Sequence, residues 1–421
     1  MHRVQAVLPQ GTVTGVCEGG VSRFSAIPYA DAPMGEDRFR PPRPSTWTGM
    51  RDATRPGPIA PQLPSRLREA MGEVEVPQAE DCLHVTVWTP AADNARRPVV
   101  LWLHGGAWQS GGGALPWYDG SRLAALGDVV VVAANYRLAA LGWLYVPGET
   151  ANVGLLDQEA AIDWVLAHAE AFGGDPTRLT VMGQSAGAAS ICALLTRQPR
   201  FSRAILQSAA LGRHFRAAAP AAGLGRAFLQ ALGVRTLDEA RTLPVAALLQ
   251  AQLAPDVVAA LEAEGASRSL FCPVLDGEVL PTDIGPALAA ATARADVLVA
   301  YTRDEMAAFP GLGLDAASQA MGDEIFGRPS RQWATDAAAH GREAWLARID
   351  VSPSARFGAC HCIELPFVFG TLDAFAEAPM LAGLAPDKAR VLRDTVQQAW
   401  LAFIRGEAPD WPAAPHLQPL G

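Results

Sequence analysis

The 421-residue sequence contains no apolar run approaching the length of a membrane-spanning helix, about eighteen residues. No lysine or arginine cluster interrupts a chain of net charge −9, which argues against a nucleic-acid or anionic-membrane surface. The N-terminus lacks the apolar stretch and small-residue cleavage site of a secretory signal. The six cysteines fit neither a disulfide framework nor a paired C-x-x-C zinc site. We therefore expect a soluble, cytoplasmic protein with reduced thiols and with neither a nucleic-acid nor a membrane partner.

What the sequence does contain is a large apolar fraction, 50% of its residues, against 18% charged residues, which is enough for a sizeable core. Its short apolar runs are continuous rather than alternating, as in strands buried on both faces of a mostly parallel sheet. The predicted strands cover residues 13–16, 83–88, 98–103, 128–134, 179–182, 204–207 and 297–300.

Helical patterns alternate with these strands. Apolar residues recur at helical spacing over 152–172, where two glycines follow, and a second helix is expected from the turn at 183–187 to about Leu195. Residues 395–404 form an amphipathic pattern. The Ala/Leu-rich segments 212–268 and 306–355 are interpreted as helical insertions. The order predicts an α/β fold with a mostly parallel central sheet, and no linker divides residues 1–421, so we predict a single domain.

The most informative motif is Gly-Gln-Ser-Ala-Gly at residues 183–187, between a predicted strand and a predicted helix. In that context G-x-S-x-G is typical of the nucleophile elbow of α/β-hydrolases, where only small neighbours fit the strained turn. The following helix directs its N-terminal amides at an anion formed there. Ser185 is thus a candidate nucleophile; the alternative is an ordinary serine in a small-residue loop.

A serine nucleophile needs a base, and this fold orders the residues as serine, acid, histidine. The histidines after Ser185 are His214, His340, His361 and His416. His214 precedes every strand that could carry the acid. His340 lies in a predicted helical insertion, and His416 lies in a Pro-rich tail. His361, in a loop before an apolar segment, remains.

The flanking cysteines of His361 raise the alternative of a metal site at Cys360-His361-Cys362. Adjacent side chains point in divergent directions and do not all reach one ion without distortion. No metal is therefore predicted.

The acid is expected just after a late strand, where the sequence "ADVLVAYTRDE" supplies both Asp304 and Glu305. Either carboxylate is suited to orient an imidazole and stabilise its protonated form. Spacing alone does not separate the two, and both also fit ordinary solvated loop residues.

A glycine-rich turn, "HGGAW", directly follows the predicted strand 98–103. Residues without bulk allow backbone N–H groups to face a substrate oxygen, which makes Gly105-Gly106-Ala107 a candidate oxyanion loop. Neither G-x-G-x-x-G nor G-x-x-x-x-G-K-[ST] fits here, so phosphate binding is not indicated.

With these motifs the chain resembles a known family, the type B carboxylesterases, which include the cholinesterases, and in particular their bacterial p-nitrobenzyl-esterase-like members. The resemblance rests on ordered motifs along most of the chain: "FSAIPYADAP", "EDCLHVTVWTP", "WLHGGAW", "NVGLLDQEAAIDWV", "FGGDPTRLTVMGQSAGAAS", "YTRDE" and "HCIELPFVFG". It implies a serine carboxylesterase on the α/β-hydrolase fold, without a cofactor.

By resemblance, Ser185 is the nucleophile, His361 the base and Glu305 the acid. The oxyanion donors it implies are the N–H groups of Gly106, Ala107 and Ala186, and Ser208 matches a serine near the catalytic histidine. The implied structural ion pairs are Asp175 with Arg137, and Glu80 with an arginine of residues 38–43.

The sequence departs from the family pattern at several places. Gln184 replaces the usual glutamate before the nucleophile, and Met306 replaces the usual glycine after "RDE". The two helical insertions are shorter than usual, which predicts a more open pocket. Cys82 lacks the upstream cysteine that pairs with it in secreted relatives.

We expect small to medium apolar esters as substrates, and esters of hindered alcohols fit the Gly-Gly-Ala-Trp loop. The residues expected to line the substrate pocket are Trp108, Trp117, Gln184, Leu211, Phe215 and Phe309. Two alternatives remain: a non-catalytic binding protein on the same fold, and a hydrolase of amide, carbamate or other acyl bonds. The sequence leaves the oligomeric state open, a monomer included.

Overall fold

The structure, a computed structural model, describes residues 2–213, 215–264 and 269–421. The strands in these ranges are β1 (His2–Leu8), β2 (Gly11–Glu18), β3 (Val21–Pro28), β4 (Gly49–Asp52), β5 (His84–Thr89), β6 (Arg97–Leu103), β7 (Val130–Ala134), β8 (Gly174–Gln184), β9 (Arg203–Gln207), β10 (Arg216–Ala217), β11 (Val274–Leu275), β12 (Asp296–Thr302), β13 (Ala344–Ile349) and β14 (Leu417–Leu420).

The α-helices in the same ranges are α1 (Arg68–Met71), α2 (Ser121–Gly127), α3 (Ala139–Trp143), α4 (Val153–His168), α5 (Ala186–Thr196), α6 (Ala218–Ala231), α7 (Leu237–Arg241), α8 (Val245–Ala251), α9 (Pro255–Glu262), α10 (Gly285–Ala291), α11 (Ala316–Gly322), α12 (Arg328–Ala339), α13 (Leu365–Phe369) and α14 (Pro386–Arg405). The 3₁₀ turns are Gly35–Asp37, Pro116–Tyr118, Ala169–Phe172, Glu305–Ala308, Leu372–Phe375 and Pro379–Leu381, and Asp323–Gly327 is a π turn. Within the described ranges no single helix is long and apolar enough to cross a membrane, although α8 and α9, bent by 48°, pass that test as a pair.

The central sheet is mixed and mostly parallel. Its strand order is β1-β2-β3-β5-β7-β6-β8-β9-β12-β13-β14, with β4 paired to β2. From β7 to β14 all neighbours are parallel, whereas β1, β2, β3 and β5 are antiparallel to their neighbours in this order. The predicted α/β fold with a mostly parallel sheet is confirmed.

Both faces of the sheet are buried, which explains the continuous apolar runs. In β6, Val99 and Leu101 belong to the core that includes side chains of α4 and α5. The alternating residues Val100 and Trp102 belong to a second core that includes side chains of α2 and α14. Successive side chains of a strand point to opposite faces, so an apolar residue is required at every position.

We predicted that the segment 306–355 is helical throughout, and this is wrong. Strand β13 lies within it and pairs with both β12 and β14. Its sequence, "AWLARI", is a short run whose alanines fit a helix as well as a strand, so local pattern did not distinguish the two. The helices of this segment end at Ala339. In the other insertion, the described residues form α6 to α9 after the two-residue strand β10.

The predicted pairing of Asp175 with Arg137 is wrong. Arg137 binds Asp157 on α4, with Nη2 2.6 Å from Oδ1, while Asp175 pairs with Arg96 at 3.0 Å. Asp175 lies at the start of β8 and Arg137 follows the end of β7; because these strands run parallel, the two residues lie at opposite edges of the sheet.

The predicted pair at Glu80 is present. Arg38 supplies the arginine, with Nε and Nη2 donating to the two carboxylate oxygens at 2.6 Å each. Both side chains are buried, and the bidentate geometry compensates for the loss of water around them.

Candidate active site

Ser185 occupies the sharp turn between β8 and α5. Its φ of 55° and ψ of −118° place it in a strained region of backbone conformation for a residue with a side chain. A Cβ on Gly183 would lie 2.8 Å from the carbonyl carbon of Gly187, and one on Gly187 would lie 2.1 Å from the carbonyl oxygen of Leu103. These contacts explain why the turn needs glycine on both sides of the serine.

His361 lies in the loop between β13 and α13, and its two ring nitrogens have different partners. Nε2 is 2.9 Å from Ser185 Oγ, and Nδ1 is 2.5 Å from Glu305 Oε2. The rings of Phe309 and Phe326 pack against the imidazole, with centroids 5.3 and 4.9 Å away. The ring is buried, so these contacts fix its orientation.

Glu305 and Asp304 have separate partners, which distinguishes the two carboxylates that spacing left open. Glu305 Oε1 accepts hydrogen bonds from Ser208 Oγ at 2.7 Å and from the Thr302 N–H at 2.8 Å, so Oε2 is held toward His361. Asp304 Oδ2 instead accepts from the Ala359 N–H at 2.9 Å, two residues before His361. Asp304 therefore anchors the histidine loop.

The candidate oxyanion loop lies on the same cavity as the serine. Gly106 and Ala107 line this cavity with Ser185 and His361. Both have positive φ, 110° and 57°, and among the described residues neither N–H has a hydrogen-bond acceptor. Ala186 is the first residue of α5, where a helix leaves its N–H without an intrahelical acceptor. Its side chain is buried, and it is not one of the cavity-lining residues.

Two further polar side chains lie beside the imidazole. Gln184 Nε2 is 3.1 Å from His361 Nε2 and donates to Cys362 Sγ at 3.2 Å. Glu364, three residues after the histidine, is buried and accepts a hydrogen bond from Gln207 Nε2 at 3.2 Å. The pKa of Glu364 is raised to about 7, mainly by burial; the charge of His361 lowers this pKa and the Glu305 carboxylate raises it, each by less than burial does.

The cavity at Ser185 has a volume of about 390 Å³ and a mostly apolar lining. Of the predicted pocket residues, Phe309 lines it. Gln184 and Trp117 line an adjacent cavity that also reaches Cys362. The leucines that complete the lining of the Ser185 cavity are Leu63, Leu67, Leu253, Leu261 and Leu270.

Three predicted pocket residues lie elsewhere. Trp108 is buried, donates to Ser190 Oγ at 3.0 Å and contacts the ring of Phe215 edge-on at 6.3 Å. Leu211 packs against the main core. None of the three lines the described cavity at Ser185. The sequence offered a signal for the α8–α9 part of the wall, since those residues belong to the predicted insertion at 212–268, but none for residues 63–68.

The fold and the hydrogen-bonded row of serine, imidazole and carboxylate define an α/β protein of the hydrolase type. A model of the Carboxylesterase family matches residues 3–317, and the chain belongs to this family. It is 37% identical over 454 residues to the para-nitrobenzyl esterase of Bacillus subtilis (strain 168), which covers 96% of this chain and 91% of that protein.

A second relative, a probable N-octanoylanthranilate hydrolase of Rhodococcus erythropolis, is 38% identical over 96% of this chain and 94% of its own. Among solved structures, a thermophilic PNB esterase superposes with a TM-score of 0.87 at 34% identity, covering 97% of this chain and 93% of that one. The chain is accordingly a hydrolase of the carboxylesterase family.

Proposed function

We propose that the chain hydrolyses carboxylic esters through an acyl-enzyme formed on Ser185. The oxygen of Ser185 attacks the ester carbonyl while His361 Nε2 takes its proton, and the protonated imidazole then donates that proton to the leaving alcohol. Water repeats the sequence on the acyl-enzyme. Glu305 holds the imidazole and stabilises its positive charge in both steps.

The row of contacts from Ser185 through His361 to Glu305 carries this proposal. The two contacts of 2.9 and 2.5 Å leave Nε2 to accept from the serine while Nδ1 donates to the carboxylate. This is the tautomer that a general base next to a serine requires. The acid is held in turn by Ser208 and Thr302.

Stabilisation of the tetrahedral intermediate is assigned to the N–H groups of Gly106, Ala107 and Ala186. The N–H groups of Gly106 and Ala107, which have no acceptor in the described part of the chain, support this role because they do not have to give up a hydrogen bond to bind an oxyanion. Each such donor contributes about 3–4 kcal/mol to transition-state stabilisation.

The cavity supports small to medium apolar esters as substrates. Its volume of about 390 Å³ and its leucine-rich wall fit a short acyl chain or a compact ring. Cleavage of an acyl–nitrogen bond is the second candidate, favoured by the relative named as an N-octanoylanthranilate hydrolase. The same proton transfer serves both reactions.

The experiment that tests this proposal traps the covalent intermediate. The enzyme is mixed with p-nitrophenyl butyrate, quenched in acid and mapped by mass spectrometry. We expect a butyryl group on the peptide that contains Ser185, and none in Ser185→Ala. A butyryl group on another residue, or turnover that persists in Ser185→Ala, would contradict the proposed nucleophile.

A further inference from the structure

The charge of the Ser185 cavity is opposite to that of the whole chain. The chain carries a net charge of −9. The described residues that line this cavity, however, include Arg66 and Arg68 and no aspartate or glutamate. Of the three glutamates that follow Arg68, Glu73 and Glu75 line the adjacent cavity, and Glu69 pairs with Arg356.

Arg66 differs from Arg68 in its partners. Arg68 Nε lies 3.8 Å from Glu73 Oε1, whereas Arg66 forms no ion pair with a described residue. The six residues outside the described ranges include no aspartate or glutamate that could neutralise it. Its positive charge is therefore uncompensated at the cavity wall.

A second uncompensated arginine lies behind the wall. Arg213 has its guanidinium carbon 5.6 Å from the ring centroid of Phe309, and this ring lines the cavity and packs on His361. Its Nε is buried and has no hydrogen-bond partner among the described residues. Burial, and after it the charge of Arg66, lowers the pKa of Arg213 to about 10, which leaves Arg213 charged at neutral pH. Arg66 and the Phe309 ring line the same cavity, so both positive charges lie along its wall.

The half-buried Arg213 guanidinium has no carboxylate partner among the described residues, which is costly in a folded protein unless an anion binds beside it. Arg66 is exposed to solvent and lines the cavity, so it can contact such an anion directly. A substrate carboxylate fits this need, because guanidinium groups bind carboxylates through paired, charge-assisted hydrogen bonds. An inorganic ion also fits the charge, but Ser185 and His361 line the same cavity as Arg66, which favours an anionic group on the substrate itself.

We propose that Arg66 and Arg213 form a carboxylate-binding subsite, so that among the small to medium esters whose apolar part fits the cavity, the preferred substrates carry one free carboxylate on the acyl or the alcohol half. This rests on the proposed esterase function. Arg66 binds the carboxylate at the cavity wall, and Arg213 adds positive charge from beside Phe309, so that together they position the ester for Ser185. They take no part in the proton transfers.

The test compares acidic esters with matched neutral ones. The acyl arm pairs mono-p-nitrophenyl glutarate with p-nitrophenyl valerate, and the alcohol arm pairs 4-acetoxybenzoate with 4-acetoxybenzamide. The ratio of kcat/KM, acidic to neutral, is measured for the wild type, Arg66→Gln and Arg213→Gln. Arg390→Gln is the control, because this exposed arginine lies on α14 and makes the same change of net charge.

We expect the acidic ester to be favoured in one arm, the ratio to fall at least tenfold in Arg66→Gln and Arg213→Gln, and no change in Arg390→Gln. Arg213→Lys keeps the charge and retains most of the preference, which separates charge from packing. Ratios unaffected by both arginine variants in both arms would overturn the subsite.

A binding measurement separates this subsite from the esterase function. Calorimetric titration of Ser185→Ala with glutarate and 4-hydroxybenzoate requires no catalysis. Binding weakened at least tenfold by Arg213→Gln supports the subsite even if the neutral esters prove not to be substrates. Equal affinity with and without the arginines overturns the subsite while leaving ester hydrolysis intact.

Discussion

Gln184 Nε2 lies 3.1 Å from His361 Nε2, the ring nitrogen that Ser185 Oγ contacts at 2.9 Å. An amide N–H donates to that nitrogen only while it carries no proton. The glutamine therefore competes with the serine for the same lone pair. A glutamate at this position, usual in the family that the sequence resembles, would favour the charged imidazole instead.

We accordingly expect Gln184→Glu to move the acidic limb of the kcat/KM profile to higher pH, by about one pH unit, because the carboxylate stabilises the protonated base. The measurement is kcat/KM with p-nitrophenyl butyrate from pH 5 to 9. Gln198→Glu is the control, because it makes the same change at an exposed residue. A superimposable profile for Gln184→Glu and the wild type would refute the competition.

Glu305→Gln is expected to lower kcat by about 10³- to 10⁴-fold, because an amide does not stabilise the imidazolium and permits the wrong tautomer. Asp304→Asn serves as the neighbouring control, since Asp304 anchors the Ala359 N–H rather than the imidazole. We expect Asp304→Asn to lower the free energy of unfolding and to reduce kcat far less than Glu305→Gln does. Steady-state kinetics with circular dichroism checks both, and a larger loss in Asp304→Asn would reverse the assignment of the acid.

The pKa of about 7 at Glu364 makes folding stability depend on pH. Between pH 4.5 and 7 the Glu364 carboxyl loses its proton in the unfolded chain but keeps it in the folded protein. The free energy of unfolding therefore falls as pH rises, and the contribution of Glu364 to this fall is about 3 kcal/mol. Glu364→Gln removes the term and keeps an acceptor for Gln207.

We therefore expect the difference in unfolding free energy, variant minus wild type, to increase from pH 4.5 to 7.5. Urea unfolding at pH 4.5, 6 and 7.5 measures it. A difference that is constant across these pH values would show that Glu364 ionises normally in the folded protein.

The elbow predicts a steric effect that depends on position. Gly187→Ala places a Cβ 2.1 Å from the Leu103 carbonyl oxygen and 2.6 Å from that of His104, and backbone atoms of the sheet do not move aside cheaply. We expect Gly187→Ala to lower the free energy of unfolding by about 1–3 kcal/mol. Gly223→Ala within α6 is the matched control: its nearest neighbour is an arginine nitrogen at 3.9 Å, and helix propensity favours alanine by about 1 kcal/mol. Thermal unfolding compares them, and equal shifts would contradict the steric account.

The sequence predicted the parts of the molecule that local chemistry determines. The apolar runs indicated the buried strands, and the glycines around Ser185 indicated the turn, because each follows from what its own neighbours allow. The pairing of Asp175 with Arg137 was wrong, since it depends on which end of a parallel strand a residue occupies.

The residues that line the pocket could not be predicted from local sequence patterns either. Residues 63–68 reach the site from a segment more than a hundred residues before Ser185, and no motif marks them. Trp108, adjacent to the oxyanion loop in sequence, turns instead toward Ser190 and the core. Strand β13 was missed for the same reason, because its identity comes from pairing with β12 and β14.

The most direct test of the central claim is a pre-steady-state assay of nitrophenol release from p-nitrophenyl acetate and butyrate. The wild type is expected to release a burst stoichiometric with enzyme, or to turn over steadily, and Ser185→Ala is expected to show neither. Equal release by both proteins would contradict the claim that Ser185 is the nucleophile.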